Sequence, residues 1–444
     1  MRFDLARTAM IAALVLIMAG ACTQDVPVAE PVQTAEPAEP AEPAELQTGY
    51  WQAQITLPGG DINTAIEIGR SGANFRATLI NGQERVSIDE VSFSDGHLLL
   101  RFPAFNSEIN AGLENGNLVG TLTLVKRYGK TQIMPFFATP GAERSNTGTR
   151  DATTVDMSGR WAVKFQNEDF TADPSIGEFA QRGPRLFGTF LNPIGDYRYL
   201  SGYVRGNEFH LGTFDGAHAF IFAGRVENDV IIGADFWSGT EFHQTWSAVR
   251  DPDAILPDPY KLTYLNPDFD RFDFEFPDLD GRLISLADER FKGKVVVVTI
   301  SGTWCPNCHD ETRLLAPLYE EYHDQGLEVV ALMYEHFEDH DFAIAQIRKF
   351  REKFDIRFET LVAGISDTTE VSKTLPSLNA VFAFPTTIYV DRSGMVRVIH
   401  TGFSGPGTGQ HYERQKEEIT SLIVELIEES VDHQESSASD GQDT

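Results

Sequence analysis

Three cysteines in 444 residues are too few for a disulfide scaffold. Cys22 stands alone near the N-terminus, which leaves only Cys305 and Cys308 in the body of the chain. One closely spaced pair in so long a chain points to chemistry rather than cross-linking. Positive charge is also short: 36 Lys and Arg face 66 Asp and Glu, a formal net charge of −30. Phosphate backbones are bound by clustered Lys and Arg, so this balance excludes nucleic acid as a partner. Long apolar runs are missing after the N-terminus. What is present, 41% hydrophobic and 11% aromatic residues, is the composition of a folded protein of two or three domains.

The one apolar run, Met10 to Met18, follows Arg2 and Arg7 and ends in "AGAC". It is too short for a spanning helix and reads as an export signal over residues 1–22. Ala19 and Ala21 fit a peptidase site, whereas Gly20-Ala21-Cys22 resembles a bacterial lipoprotein box, with Ala19 where Leu is usual. The expectation is a protein of the periplasm or cell envelope, lipid-anchored at Cys22. Residues 23–47 carry a Pro/Ala/Glu repeat whose regular prolines favour an extended spacer.

Residues 48–250 alternate short apolar runs with Asn-Gly, Asp-Gly and Gly-Asn turns, which predicts β-structure. "GYWQAQI" at 49–55 echoes in "GRWAVKF" at 159–165, and "LENGNLVG" at 113–120 in "VENDVIIG" at 226–233. The spacings agree within a few residues, so two repeated β-modules are expected, 48–145 and 156–250, each about 100 residues. The aromatics Phe214, Phe220, Trp237, Phe242 and Trp246 are either core or a binding surface. A Pro/Asp-rich linker, 251–262, leads to a stretch where strands alternate with amphipathic helices. This is the α/β pattern of residues 263–430, followed by an acidic tail, 431–444.

"KVVVVTISGTWCPNCHDETRLL" carries the chemistry. A buried strand running into C-x-x-C at a helix start places Cys305 among unpaired N–H groups and a partial positive charge. Such a thiol is expected to ionise somewhere in the range of about 3.5–7.5. Cys308, one turn on, is placed to resolve a mixed disulfide. Cys305 to His309 also spells the C-x-x-C-H of c-type haem attachment, but a haem needs a pocket and usually a second axial ligand. His309 is expected to be a polar helix residue. "YEHFEDHD" offers His336, Glu338, His340 and Asp341 as possible metal ligands, though such loops are usually only solvated.

The strand-to-"WCPNC" element, "FPTTIYVDRSGMV" and "FPDLDGRLISLADERFKGK" together resemble the TlpA/ResA group of extracytoplasmic thiol–disulfide oxidoreductases, within the AhpC/TSA-type redoxins. The resemblance implies a thioredoxin-like fold, Pro385 at a cis-proline position shaping the substrate groove, and Trp304 packed beside the cysteines. It also implies Glu311 as an acid beside the pair; the alternative for Glu311 is a solvated first-turn helix residue. Thr299 stands where ordinary thioredoxins bury an aspartate. The partners implied are protein thiols or disulfides and a membrane thiol-reductant donor, with reduction as the direction and no cofactor beyond the redox-active disulfide. Two other functions compete. Peroxiredoxins carry a Thr three residues before the reactive cysteine, where this chain has Gly302, and the β-half raises the possibility of an envelope binding protein with an accessory redoxin domain.

Overall fold

The computed structural model describes residues 45–141, 154–167 and 171–429. The export signal, Cys22, most of the Pro/Ala/Glu spacer and the acidic tail lie outside them. The described residues belong to one compact unit.

The expected β-half is two nine-stranded antiparallel sheets. In the first, neighbouring strands follow chain order and the first strand, Gly49–Leu57, pairs with the last, Thr131–Pro140. The open edges are Glu84–Ile88 and Glu90–Ser94, consecutive strands that part at Asp89. Lys353 reaches that seam and donates to Asp89 at 2.9 Å. The second sheet closes completely, because Ala172–Arg182 pairs with both Gly159–Gln166 and Arg185–Asn192. Closure leaves those strands no unpaired edge. Its interior is filled by rings: Phe165, Phe190, Phe222, Phe236 and Trp246 pack with one another, Phe222 stacked on Phe236 at 4.4 Å. Of the five aromatics that could have been surface, Phe214, Phe220 and Trp246 are buried, and Trp237 packs half-buried on the core of the first sheet. Phe242 is exposed. Phe214, Ala219 and Ile221 of the second sheet lie in the core of the first, so the sheets share packing.

The C-terminal part is a five-stranded sheet in the order Glu359–Ile365, Leu327–Glu335, Val295–Ser301, Thr386–Val390, Val396–Thr401. The first three run parallel and the last two antiparallel to their neighbours. Val295–Ser301 is central, and all seven of its residues are buried. Its continuous apolar run is what burial on two faces requires. Val296, Val298 and Ile300 enter a core with Phe272, Phe274 and Phe276. Val295 and Val297 enter the opposite core, with Leu315 of α1 (Pro306–Tyr322), Ile347 and Phe350 of α2 (His340–Phe354), and Ile419 and Ile423 of α4 (Gln410–Glu428). The short α3 (Thr368–Thr374) closes the first face through Val371.

Candidate active site

The central strand ends at Ser301, and after four intervening residues the chain becomes α1. Gly302 in that turn has no room for a side chain. A Cβ there would lie 2.4 Å from Trp304 Nε1 and 2.6 Å from the Tyr334 carbonyl oxygen. Cys305 is the N-cap of α1, and Pro306 takes the first helical position, where a missing N–H costs nothing. Cys305 and Cys308 are joined in a disulfide, their Cα atoms 5.2 Å apart. The backbone N–H of Cys308 donates to Cys305 Sγ at 3.2 Å. A sulfur at an N-cap accepts what a serine oxygen would, and that bond strengthens when the acceptor is an anion. Cys305 Sγ also lies 3.4 Å from the Phe384 carbonyl oxygen, and the Phe384–Pro385 peptide bond is cis.

Trp304 donates Nε1–H to the Tyr334 carbonyl at 2.8 Å and lies edge-on to Phe384 at 5.2 Å. His336 stacks on its other face at 4.4 Å. Burial, with Lys126 and Arg127 nearby, holds the His336 imidazole neutral, its pKa lowered to about 3. His340 begins α2 and is exposed with Asp341. Among the described residues no cluster of three His, Cys, Asp or Glu is arranged to hold a metal.

Glu311 is not a solvated first-turn acid. It is 3% exposed, and it accepts hydrogen bonds from Thr299 Oγ1 and Thr387 Oγ1, each at 2.6 Å. Desolvation pushes its carboxyl up to about 7, against the pull of the two hydroxyls. Thr299 and Glu311 thus share the buried polar position between the central strand and α1.

A second acid escaped the sequence reading. Glu335, last residue of its strand, accepts from the Thr303 N–H at 3.0 Å and from Thr303 Oγ1 at 2.6 Å. It too is buried and pushed up to about 7 by desolvation. "LEVVALMYE" reads as an apolar strand with a polar end, and only the return of the Thr303 loop buries that end.

His309 corrects an expectation. It is buried rather than a polar surface residue, because α1 packs there against other parts of the chain. Its Nε2–H donates to the Thr303 carbonyl at 2.7 Å, and Phe105 of the first sheet stacks on its ring at 4.8 Å. Burial lowers its pKa far below the usual imidazole value. A ring so engaged has no free Nε2.

The β-half frames this site. Phe105 covers His309, and Pro103 O and Asn106 Oδ1 accept from Gln346 of α2 at 2.6 and 2.8 Å. The Tyr128 N–H donates to the His336 carbonyl at 2.8 Å, and Arg127 pairs with Asp367 at 2.7 Å. From the second sheet, Gly195 lies against the Asn307 side chain, which donates to the Phe403 carbonyl at 3.0 Å. Arg198 binds Asp310 of α1 at 2.6 Å. Cys305 is 4% exposed and Cys308 not at all.

Residues 270–399 match the AhpC/TSA family. The thiol-disulfide oxidoreductase ResA of Bacillus thuringiensis subsp. konkukian is 32% identical over 123 residues, 28% of this chain and 62% of its own length. ResA of Geobacillus kaustophilus is 31% identical over 147 residues, 33% of this chain and 74% of the relative. A solved thiol:disulfide interchange protein of the thioredoxin family from Chlorobium tepidum is 18% identical, with 35% of this chain covering 94% of that one at a TM-score of 0.27. The family match leaves residues 45–269 and 400–429 outside it.

Proposed function

This chain belongs to the AhpC/TSA family through residues 270–399, and from that premise we propose that it is a thiol–disulfide oxidoreductase that reduces disulfides of partner proteins. The observation that carries the proposal is the Cys305–Cys308 disulfide at the N-terminus of α1, with the Cys308 N–H aimed at Cys305 Sγ. In the dithiol form, the Cys305 thiolate attacks a partner disulfide; one partner sulfur leaves as a thiolate, and a mixed disulfide forms. Cys308 then loses its proton and attacks Cys305 Sγ, releasing the second partner sulfur and restoring the internal disulfide. Two electrons pass from the pair to the partner, and no other cofactor takes part. Glu311, one turn beyond Cys308 on the same helix face, is the acid placed to exchange that proton. Pro385 and Trp304 border the sulfur a partner must approach.

Reduction is favoured as the direction because Cys305 and Cys308 are buried, and burial disfavours thiolates. A pair whose reduced form is poorly stabilised is a good electron donor. The electrons come in turn from a membrane thiol donor. The export signal supports an envelope location, with lipidation at Cys22 tethering the domains to the membrane. No helix among the described residues is long and apolar enough to cross a membrane.

The two sheets read as copies of one module. Trp51 and Trp161 occupy the first strand of each, follow Gly49 and Gly159 at positive φ, and donate Nε1–H at 3.0 Å to the carbonyl four residues back. The echoed "LENG" and "VEND" form the two-residue turns into the penultimate strands, with Asn115 at φ +50° and Asn228 at φ +51°.

Turnover of a disulfide-bonded model protein by the reduced chain tests the proposal. Cys305→Ser is expected to drop to the uncatalysed rate, and Cys308→Ser to accumulate mixed disulfides at Cys305. Full activity in Cys305→Ser sinks the mechanism.

A further inference from the structure

Asp310 is the fifth residue of α1, two residues after Cys308, and is 1% exposed. From its own domain it is met by Arg313, whose side chain is half exposed. Its other oxygen is held by Arg198 of the second sheet at 2.6 Å. The Arg198 guanidinium is itself buried. It binds Glu84 of the first sheet at 2.7 Å and lies 3.5 Å from Asp215. Asp196 completes the cluster, accepting the Arg198 N–H at 2.6 Å and the Gly405 N–H at 2.6 Å. One buried cation therefore faces four carboxylates from both sheets and the redox helix. The Arg198 backbone holds φ +58°, a left-handed conformation that is costly without glycine. Such strain persists where the side chain is what the position serves.

We infer that Arg198 is a positioning residue for the redox pair: reaching across from the second sheet, it neutralises Asp310 and leaves the first turn of α1 able to hold Cys305 as a thiolate. The inference rests on the thiol–disulfide reading above. The helix N-terminus attracts a negative sulfur. A carboxylate buried just past the first turn, at Asp310, repels it, and burial weakens the screening of that repulsion. Arg198 opposes this repulsion from outside the redox domain, on the second Asp310 oxygen, where the half-exposed Arg313 of the same helix holds only the first. The β-half is then part of the machinery that sets thiol reactivity. Other titratable groups face the cluster: His218 sits 3.3 Å from Asp215, and Lys126 donates to the Ala217 carbonyl at 2.9 Å. On the far side of the pair stand Glu311, Glu335 and His336. All of these stay in place in the test.

The test follows alkylation of Cys305 by iodoacetamide against pH in the reduced full chain, read by mass spectrometry of the Cys305 peptide. Arg198→Gln is expected to slow alkylation about tenfold on the acid side of the titration, a shift of about one pH unit. Arg198→Lys should keep most of the wild-type rate. Asp310→Asn should move the titration the other way, and Asp310→Asn combined with Arg198→Gln should return towards wild type, which a merely structural role would not produce. If Arg198→Gln does not fold, Asp310→Asn decides alone: a titration moved to lower pH supports the inference, and an unmoved one overturns it. Identical titrations in all folded variants, or no recovery in the double variant, overturn the role of Arg198. A wild-type chain that forms no reversible Cys305–Cys308 disulfide overturns instead the functional reading beneath it.

Discussion

Glu311 and Glu335 each place a carboxyl, pushed up to about 7, within one turn or one loop of the cysteines. Against an ordinary value of 4.5, a raised folded value means that the folded protein holds its proton more tightly than the unfolded chain does. The resulting stability is full below 4.5 and is lost as pH rises through about 7. Glu311→Gln keeps a polar side chain and removes the charge. It should match the wild type near the unfolded value and exceed it by about 3 kcal/mol at alkaline pH. Denaturant unfolding of the oxidised protein at both pH values measures this, and a pH-independent difference would contradict it. The same variant should flatten the pH dependence of exchange near neutrality. The spacing of Glu311 after Cys308 was legible in the sequence. Its burial was not, because that depends on Thr299 and Thr387 meeting it from two separate strands. Glu335 was invisible for the same kind of reason.

The strand, the turn and α1 form the element on which the chemistry rests, and Gly302 is its tightest point. Gly302→Ala drives a Cβ into Trp304 Nε1 and the Tyr334 carbonyl, which must move apart. The expected loss is about 1–3 kcal/mol, with a change in Trp fluorescence as the 2.8 Å bond between those two groups is disturbed. Unaltered stability and fluorescence would contradict this packing. A threonine at 302 meets the same wall, which gives a steric reason why the peroxiredoxin pattern is absent here. At this scale much was readable: the seven-residue buried strand, the helix starting at the cysteines, and the β-hairpin beyond Pro385 all carry local periodicity. The closed second sheet was not readable, because pairing between its first and last strands leaves no local pattern in the sequence.

Across the whole molecule the β-half does more than stand beside the redox domain. Phe105, Tyr128, Gly195 and Arg198 each touch the residues around Cys305 and Cys308. Nothing in the sequence placed Arg198 next to Asp310, since 112 positions separate them. Such pairings are decided by how sheets pack, and composition and periodicity do not register them. Burial of Cys305 and Cys308 under the capping β-half disfavours their thiolates against the pull of the helix start, and on that ground the pair is one that gives electrons away. The reduction potential of the Cys305–Cys308 pair in the full chain, from equilibration with a dithiol buffer, tests that account most directly. The account predicts a value near that of thioredoxin, about −270 mV. A value near about −120 mV, or no reversible disulfide at all, would contradict it.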